Sequence, residues 1–459
     1  MPFSRADQIR HARPEGDFFG HPRGLTFLFA TEMWERFAYY GMQALLVLYM
    51  VRYLLLPDRA DGVIGLGALK SALEASFGPL GVQAFASHIY GLYTALAYFT
   101  PIVGGLLADR VLGQRRMVII GATLMALGHF MMAFEALFLL ALTTLIVANG
   151  AFRPNIVTQV GGLYASGDPG RDRAYAIFYA GFKIGAFLAP LVCGTLAEEW
   201  GWHYGFAAAG VGMTIGLAVY LYAGPALPPD ERDNIPAPPL GERKGATWQS
   251  VLALAVLFLP ATLFWAAYQQ HGNAIALWAD DYTDRTINLV VWHGEIPVTW
   301  FQAFNPLMLI AFAPVVIGLW SRQERRGTEP STIAKMAIGA LCVALAYLIM
   351  AGAAWSAAGD EASWWWLAAY FALVTVGELY FAPISLSLVS KAAPGRMLST
   401  TMGLWLAASF TGSLVSGWLG SFWSEMDKTS FFLMLSGLAA FAGVLIYAFN
   451  RPLRGMLGD

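Results

Sequence analysis

Cysteine is nearly absent from this chain: Cys193 and Cys342 are its two thiols in 459 residues. Both fall in apolar stretches, so neither a disulfide framework nor a thiolate metal cluster is expected. Charge is scarce as well, with Asp, Glu, Lys and Arg at 13% of the residues, about half of the roughly 25% usual in soluble domains. No Gly-rich phosphate loop followed by Lys-Ser or Lys-Thr occurs, and no polar stretch is long enough for a nucleotide-binding domain, which disfavours transport powered directly by ATP. No nucleophile-base arrangement or cluster of metal ligands points to an enzyme or a bound cofactor. A net charge of −2 offers no electrostatic footprint for nucleic acid. The residues before Gly24 carry Arg5, Arg10, Arg13 and Arg23 in a polar context, unlike a cleavable signal peptide.

Hydrophobic side chains, by contrast, make up 57% of the chain. They recur in twelve stretches long enough to cross a bilayer, at about 24–54, 83–108, 116–133, 136–164, 173–197, 204–225, 248–278, 299–321, 331–354, 363–390, 397–423 and 429–450. The expectation is an all-α integral membrane protein with 12 transmembrane helices. Residues 227–247, with Pro228, Pro229, Pro236, Pro238 and Pro239 among mixed charges, read as a solvated linker too short for extra helices. They divide the chain into an N-terminal six-helix bundle over 1–226 and a C-terminal six-helix bundle over 248–459. Sorting basic residues by loop leaves only Arg52, Arg59, Lys70, Arg285 and Lys428 on the side opposite the N-terminus. That asymmetry predicts both termini to be cytoplasmic.

Three basic residues, Arg36, Arg153 and Lys183, fall inside the spans, with three acids, Glu32, Glu35 and Glu378. At about 100° per residue, Glu32, Glu35, Arg36, Tyr39, Tyr40 and Gln43 share one arc of roughly 140° on the first helix. A charge at mid-bilayer costs on the order of 2.5–3.5 kcal/mol on insertion scales, so such a face implies a water-filled pathway or substrate site with internal pairing. The other explanation is a buried structural ion pair.

The loop Gly104-Gly105-Leu106-Leu107-Ala108-Asp109-Arg110-Val111-Leu112-Gly113, continuing to Arg115-Arg116, has a weaker echo in Gly318-Leu319-Trp320-Ser321-Arg322-Gln323-Glu324-Arg325-Arg326. Equivalent loops in equivalent places suggest a parallel repeat, the architecture of the major facilitator superfamily, where substrate sits at midplane between the halves. With no ATP site, the energy source left is a gradient. One proton moving down about 100 mV releases roughly 2.3 kcal/mol, enough for more than tenfold accumulation.

The run Glu32-x-x-Glu35-Arg36-Phe37-x-Tyr39-Tyr40-Gly41 and the Gly104–Gly113 loop resemble the signatures of the proton-dependent oligopeptide transporter family. So do Arg153-Pro154-Asn155, Phe178-Tyr179, Trp300-Phe301-Gln302-x-x-Asn305-Pro306, Gly377-Glu378-Leu379 with Pro383, and Ala393-Pro394 through Met402-Gly403-x-Trp405. The resemblance spans nearly the whole chain. It implies a monomeric major facilitator carrier in a bacterial cytoplasmic (inner) membrane, importing di- and tripeptides with protons by alternating access and needing no cofactor beyond the coupling ion. It further implies proton coupling through Glu32, Glu35 and the basic residue at position 153. Arg36 and Arg153 would lie toward the peptide carboxylate, Glu378 and Asn305 toward its amino group, and Tyr39, Tyr40 and Tyr98 along the cavity.

The chain departs from that pattern in three places. Arg153 stands where relatives usually have Lys, and Arg cannot release a proton at usable pH; the moving proton is then expected on Glu32 or Glu35. Lys183 stands where relatives usually have Asn. It is read as a second cation of the substrate or coupling site, or as a partner that neutralises Glu378 or holds Asn155. Gln43 and Gln269 replace an Arg and a Glu thought to gate the extracellular side, which leaves two readings, an amide hydrogen bond in place of an ionic gate or two solvent-facing amides. His88 has two readings: a part in proton coupling, since relatives use a second-helix His whose position is Gly91 here, one turn away, or a pore-lining or packing role without proton function. Trp265, Phe301 and Trp405 are candidates for aromatic walls or for ordinary helix packing. A carrier of a non-peptide anion and a non-transporting receptor remain as other functions for the same residues.

Overall fold

A computed structural model of the chain describes residues 20–164, 168, 170–227, 248–288, 293–392 and 398–450. Arg5, Arg10, Arg13, the linker from Pro228 to Thr247 and the Ala393-Pro394 turn lie outside these, as do the side chains of Met402 and its neighbours. Among the described residues, twelve helices of 18 to 31 residues follow one another in the expected places. They are α1 (Arg23–Tyr49), α2 (Val82–Leu107), α3 (Gln114–Met131), α4 (Phe138–Gly162), α5 (Gly170–Trp200) and α6 (Trp202–Tyr222) in the first half of the chain. The second half holds α7 (Trp248–Tyr268), α8 (Phe304–Arg325), α9 (Thr332–Ala357), α10 (Trp365–Ala392), α11 (Leu398–Ser421) and α12 (Lys428–Ala448). By length and hydropathy alone, eight helical stretches suffice to cross a membrane. Helix α1, with its three charges, is not one of them.

Two expected spans are broken. The stretch 248–278 ends its first helix at Tyr268, passes through a tight turn over Gln269–Gly272, and resumes in a short helix Ala274–Asp281. Asn273, at φ −118° and ψ −97°, forms the corner. Likewise α8 is entered through a tight helical turn over Val298–Ala303. Helix α1 instead runs on into a wider π turn over Met50–Leu54. The hydropathy pattern also hides a short helix at Leu66–Phe77, a small antiparallel pairing of Thr286–Asn288 with His293–Glu295, and a parallel pairing of Thr283–Asp284 with Ala362–Ser363.

Small residues set the helix spacing. In a bilayer, helices gain little hydrophobic energy from each other, so close backbone approach and van der Waals contact must hold them together. Gly185 of α5 sits against the carbonyl of Met33 and within 3.0 Å, at a notional Cβ, of the Arg36 Cβ, so no larger residue fits there. That contact fixes the height of the charged face of α1 against α5. On α10, Gly377 abuts the backbone of Gly339 on α9; Glu378, about 100° further round, therefore turns away from that contact.

Proline interrupts α2 at Pro101, which leaves the carbonyl four residues earlier, Ala97, without its helical donor. Asn149 of α4, 1% exposed, supplies the missing bond at 3.0 Å. The bend and the α2–α4 packing are thus parts of one solution.

Candidate functional site

Along α1 the charged arc is buried almost completely, with Glu32 1%, Glu35 0% and Arg36 6% exposed. Arg36 Nε lies 2.6 Å from Glu32 Oε1 and 2.9 Å from Glu35 Oε2. Its guanidinium also stands over the Phe182 ring at 4.5 Å. Arg153, from α4, approaches Glu35 Oε1 at 3.8 Å and lies over the Tyr39 ring at 4.2 Å. The two acids therefore share two cations. Glu32 Oε2 and both oxygens of Glu35 accept no hydrogen bond, and Nε and Nη2 of Arg153 donate none. Buried lone pairs left unoccupied in this way have room for a proton or for a ligand group.

The second pole belongs to the second half. Tyr268 Oη donates to Glu378 Oε2 at 2.7 Å and Asn305 Nδ2 donates to the same oxygen at 2.9 Å. Thr375 accepts a further bond from Asn305 at 3.2 Å, which fixes the amide. Glu378 Oε1 faces Lys183 Nζ of α5 at 3.6 Å, an ion pair that spans the seam between the two halves. Of the two partners foreseen for Lys183, then, it takes Glu378; Asn155 is turned onto the Ala151 carbonyl of its own helix at 2.7 Å. Tyr40 makes an edge-on contact with Phe182, and the Lys183 ammonium lies 5.0 Å from the Phe182 ring and 5.3 Å from that of Tyr179.

Gln43 and Gln269 are both buried but do not bond each other. Gln43 Nε2 donates to Tyr90 Oη at 3.1 Å, Tyr90 Oη reaches the Gln269 carbonyl at 3.5 Å, and Gln269 Nε2 reaches Tyr98 Oη at 3.4 Å. A tyrosine stands between the two amides, because Tyr90 of α2 places its Oη between the Gln43 side chain and the Gln269 carbonyl. A direct amide bond is thus replaced by a tyrosine relay. Nearby, Ser87 bonds Asn273 at 2.9 Å, Gln83 donates to the Gly420 carbonyl at 2.9 Å, and Gly91 meets Gly417 backbone to backbone. Further toward the same end, Arg52 pairs with Asp280 at 2.7 Å and also with Asp281, Arg285 with Glu198 at 3.9 Å, and the Val298 N–H bonds Glu198 at 2.7 Å. The two halves are joined across the end at which α1 finishes.

His88 lies against Phe77 of the short helix, ring centroids 4.5 Å apart, a packing position away from the ionic cluster. Trp265 touches Tyr268 edge-on and so borders the Glu378 pole, whereas Phe301, 1% exposed, is core. Trp405 Nε1 reaches Ser385 Oγ at 3.3 Å. Sequence reasoning missed Tyr268 and Tyr90. Trp265, Tyr268 and His271 recur three residues apart, so a one-face pattern was there, but aromatic residues at helical spacing are usually core. An apolar groove of about 550 Å³ along α1, α5 and α6, lined by Trp34, Phe37, Leu188, Trp200, Tyr204 and Val211 among others, lies on the flank of α1 opposite Glu35. Its chemistry suits acyl chains and does not belong to this site.

A family profile described as the POT family matches residues 115–229 and 238–437. Among characterised proteins, the chain is 33% identical to the peptide transporter YePEPT of Yersinia enterocolitica subsp. palearctica serotype O:3 (strain YE-P4), with 88% of each chain covered. It is 29% identical to a di-/tripeptide transporter of Lactococcus lactis subsp. cremoris, covering 97% of this chain and 99% of the relative. The crystal structure of a peptide transporter POT in complex with sulfate superposes with a TM-score of 0.82 at 30% identity, covering 98% of this chain and 99% of that one. Relatives of this kind and the apolar helices together make this a multi-pass membrane protein, and they are transporters, not enzymes.

Proposed function

This chain belongs to the POT family, and from that premise we propose that it is a proton-coupled symporter carrying di- and tripeptides by alternating access. On this reading its long helices make up the two six-helix bundles of a major facilitator carrier, assigned to 1–226 and 248–459, with 227–247 as the linker; the order of helices along the described residues supports it. It works as a monomer in a bacterial cytoplasmic membrane with both termini inside, as the asymmetry of basic loops argues.

One observation supports the peptide reading most: an arginine cluster of the first half and a hydrogen-bonded carboxylate of the second lie in charged groups that meet across the seam at Lys183 and Glu378. Arg153 of the first half keeps Nε and Nη2 without an acceptor, beside an Arg36 paired with Glu32 and Glu35, and a carboxylate fits against those free N–H groups. Glu378 of the second half, oriented by Tyr268 and Asn305, is the anion that would receive an ammonium. A zwitterionic backbone bridges such poles through charge-assisted hydrogen bonds whatever its side chains are. Binding that spans both halves also favours the state in which they are drawn together. The relatives named as peptide and di-/tripeptide transporters point to the same substrate class.

For the proton, Glu32 and Glu35 are the candidates. Arg153 is a fixed counter-charge, because guanidinium does not deprotonate. A peptide carboxylate arriving at Arg36 and Arg153 competes with Glu35 for both, and protonating Glu35 releases them. That exchange would couple proton entry to substrate binding.

Uptake of labelled dialanine into proteoliposomes, with and without an inward proton gradient, tests the proposal in the parent and in Glu378→Gln. Gradient-driven accumulation in the parent that is lost in the variant is the expected result. A parent that moves other solutes but no di- or tripeptide would keep its fold and family and lose this function.

A further inference from the structure

Lys183 puts its Nζ 3.6 Å from Glu378 Oε1, while Tyr268 and Asn305 already occupy the other oxygen. Neighbouring charged groups do not compete for this position. Arg36 is engaged by Glu32 and Glu35, Arg153 by Glu35 and Tyr39, and His271 turns its Nδ1 to the Tyr268 carbonyl at 2.7 Å. Lys183 itself is 5% exposed and otherwise surrounded by the Tyr179 and Phe182 rings. A substrate ammonium that approaches Glu378 therefore meets a cation already in place. It must share the carboxylate with a like charge, or drive Lys183 back among rings that compensate a full charge poorly. Either way the arriving ammonium gains much less than it would from an uncompensated carboxylate. A substrate with no ammonium, conversely, leaves Glu378 paired and loses nothing.

We propose that Lys183 stands in for the substrate's amino terminus. The carrier then takes short peptides and peptide-like amides whose amino end is blocked or missing about as readily as free dipeptides, provided that they keep the carboxylate held at Arg36 and Arg153. This rests on the peptide reading of the site and narrows it to a substrate class.

Competition against labelled dialanine uptake in proteoliposomes tests it, with two unlabelled probes: dialanine, and N-propanoyl-alanine, which has hydrogen in place of the ammonium. In the parent the two should inhibit within about threefold of each other. In Lys183→Asn dialanine should become the better competitor by about tenfold or more, the scale of one charge-assisted hydrogen bond. Lys183→Gln, read in addition by substrate-induced thermal stabilisation in detergent, serves if the Asn variant inserts poorly. A parent that prefers dialanine tenfold, or a ratio that does not move in the variants, overturns the proposal while dialanine uptake continues. If dialanine neither binds nor moves, the peptide reading itself falls and takes this inference with it.

Discussion

Glu35 shows how little of a membrane carrier's chemistry a residue needs to carry alone. It is fully buried beside two cations, and neither of its oxygens accepts a hydrogen bond. A neutral amide of the same shape keeps the packing but can neither take up nor release a proton. Glu35→Gln should therefore abolish proton-driven accumulation of dialanine while leaving counterflow exchange within about threefold, since exchange requires binding and reorientation but no net proton movement. Counterflow against pH-jump uptake in the same vesicles separates the two. A variant with both activities intact would move the proton to Glu32. The identities of these residues were legible in the sequence, because a charge in an apolar run needs a reason. Their pairing was not. Lys183 had Glu378 and Asn155 as equally good partners on paper, and only the packing of α5 across α10 brings Nζ to 3.6 Å from one of them.

Helices are where local rules and tertiary demands meet. Pro101 strips a donor from the Ala97 carbonyl, and Asn149 restores it from the neighbouring helix. In lipid no water replaces that bond. Asn149→Ala should cost about 1–3 kcal/mol, seen as a lower midpoint of thermal unfolding in detergent, whereas Ala97→Gly, which keeps the carbonyl and its bond, should not reproduce the loss through this contact. An unchanged midpoint in Asn149→Ala would show that the carbonyl finds another partner. At the other end of the chain, Asp427 caps α12 through Ser430 and Thr429, and those bonds hold its carboxyl below the ordinary aspartate range. Hydropathy located these helices within a few residues, because twenty apolar residues in a row leave the backbone no alternative. It missed the corner at Asn273 and the helix Leu66–Phe77. The first is a helix break inside an apolar run, invisible to a sliding average; the second is amphipathic and too short to register as a span.

At the scale of the molecule, the two halves meet in layers at the end where α1 finishes. The Gly91–Gly417 contact and the Gln43–Tyr90–Gln269–Tyr98 relay lie within, and outermost is the pairing of Arg52 with Asp280 and Asp281. The outer pair is exposed, with Arg52 at 44%, so it contributes only about 0.2–1 kcal/mol per contact. Reversing its sign should consequently shift the balance between open and closed, not lock it. Arg52→Glu is expected to slow dialanine uptake about two- to fivefold, with partial recovery on adding Asp280→Arg and a weaker effect in high salt. Uptake indifferent to the reversal would leave closure to the buried relay and the Gly91–Gly417 contact.

The sequence by itself determined that this is a many-helix membrane protein of one family, and it marked six charged residues inside its spans. Both follow from the cost of putting charge in hydrocarbon, which forces apolar runs elsewhere and makes each exception visible. The tertiary structure alone decided who faces whom: Glu378 with Tyr268, Asn305 and Lys183, Glu35 between Arg36 and Arg153, and a tyrosine between two glutamines. Those contacts join residues up to 195 positions apart across helices whose rotation and height are set by glycine-sized approaches, and no local pattern along one helix encodes how its neighbour is turned.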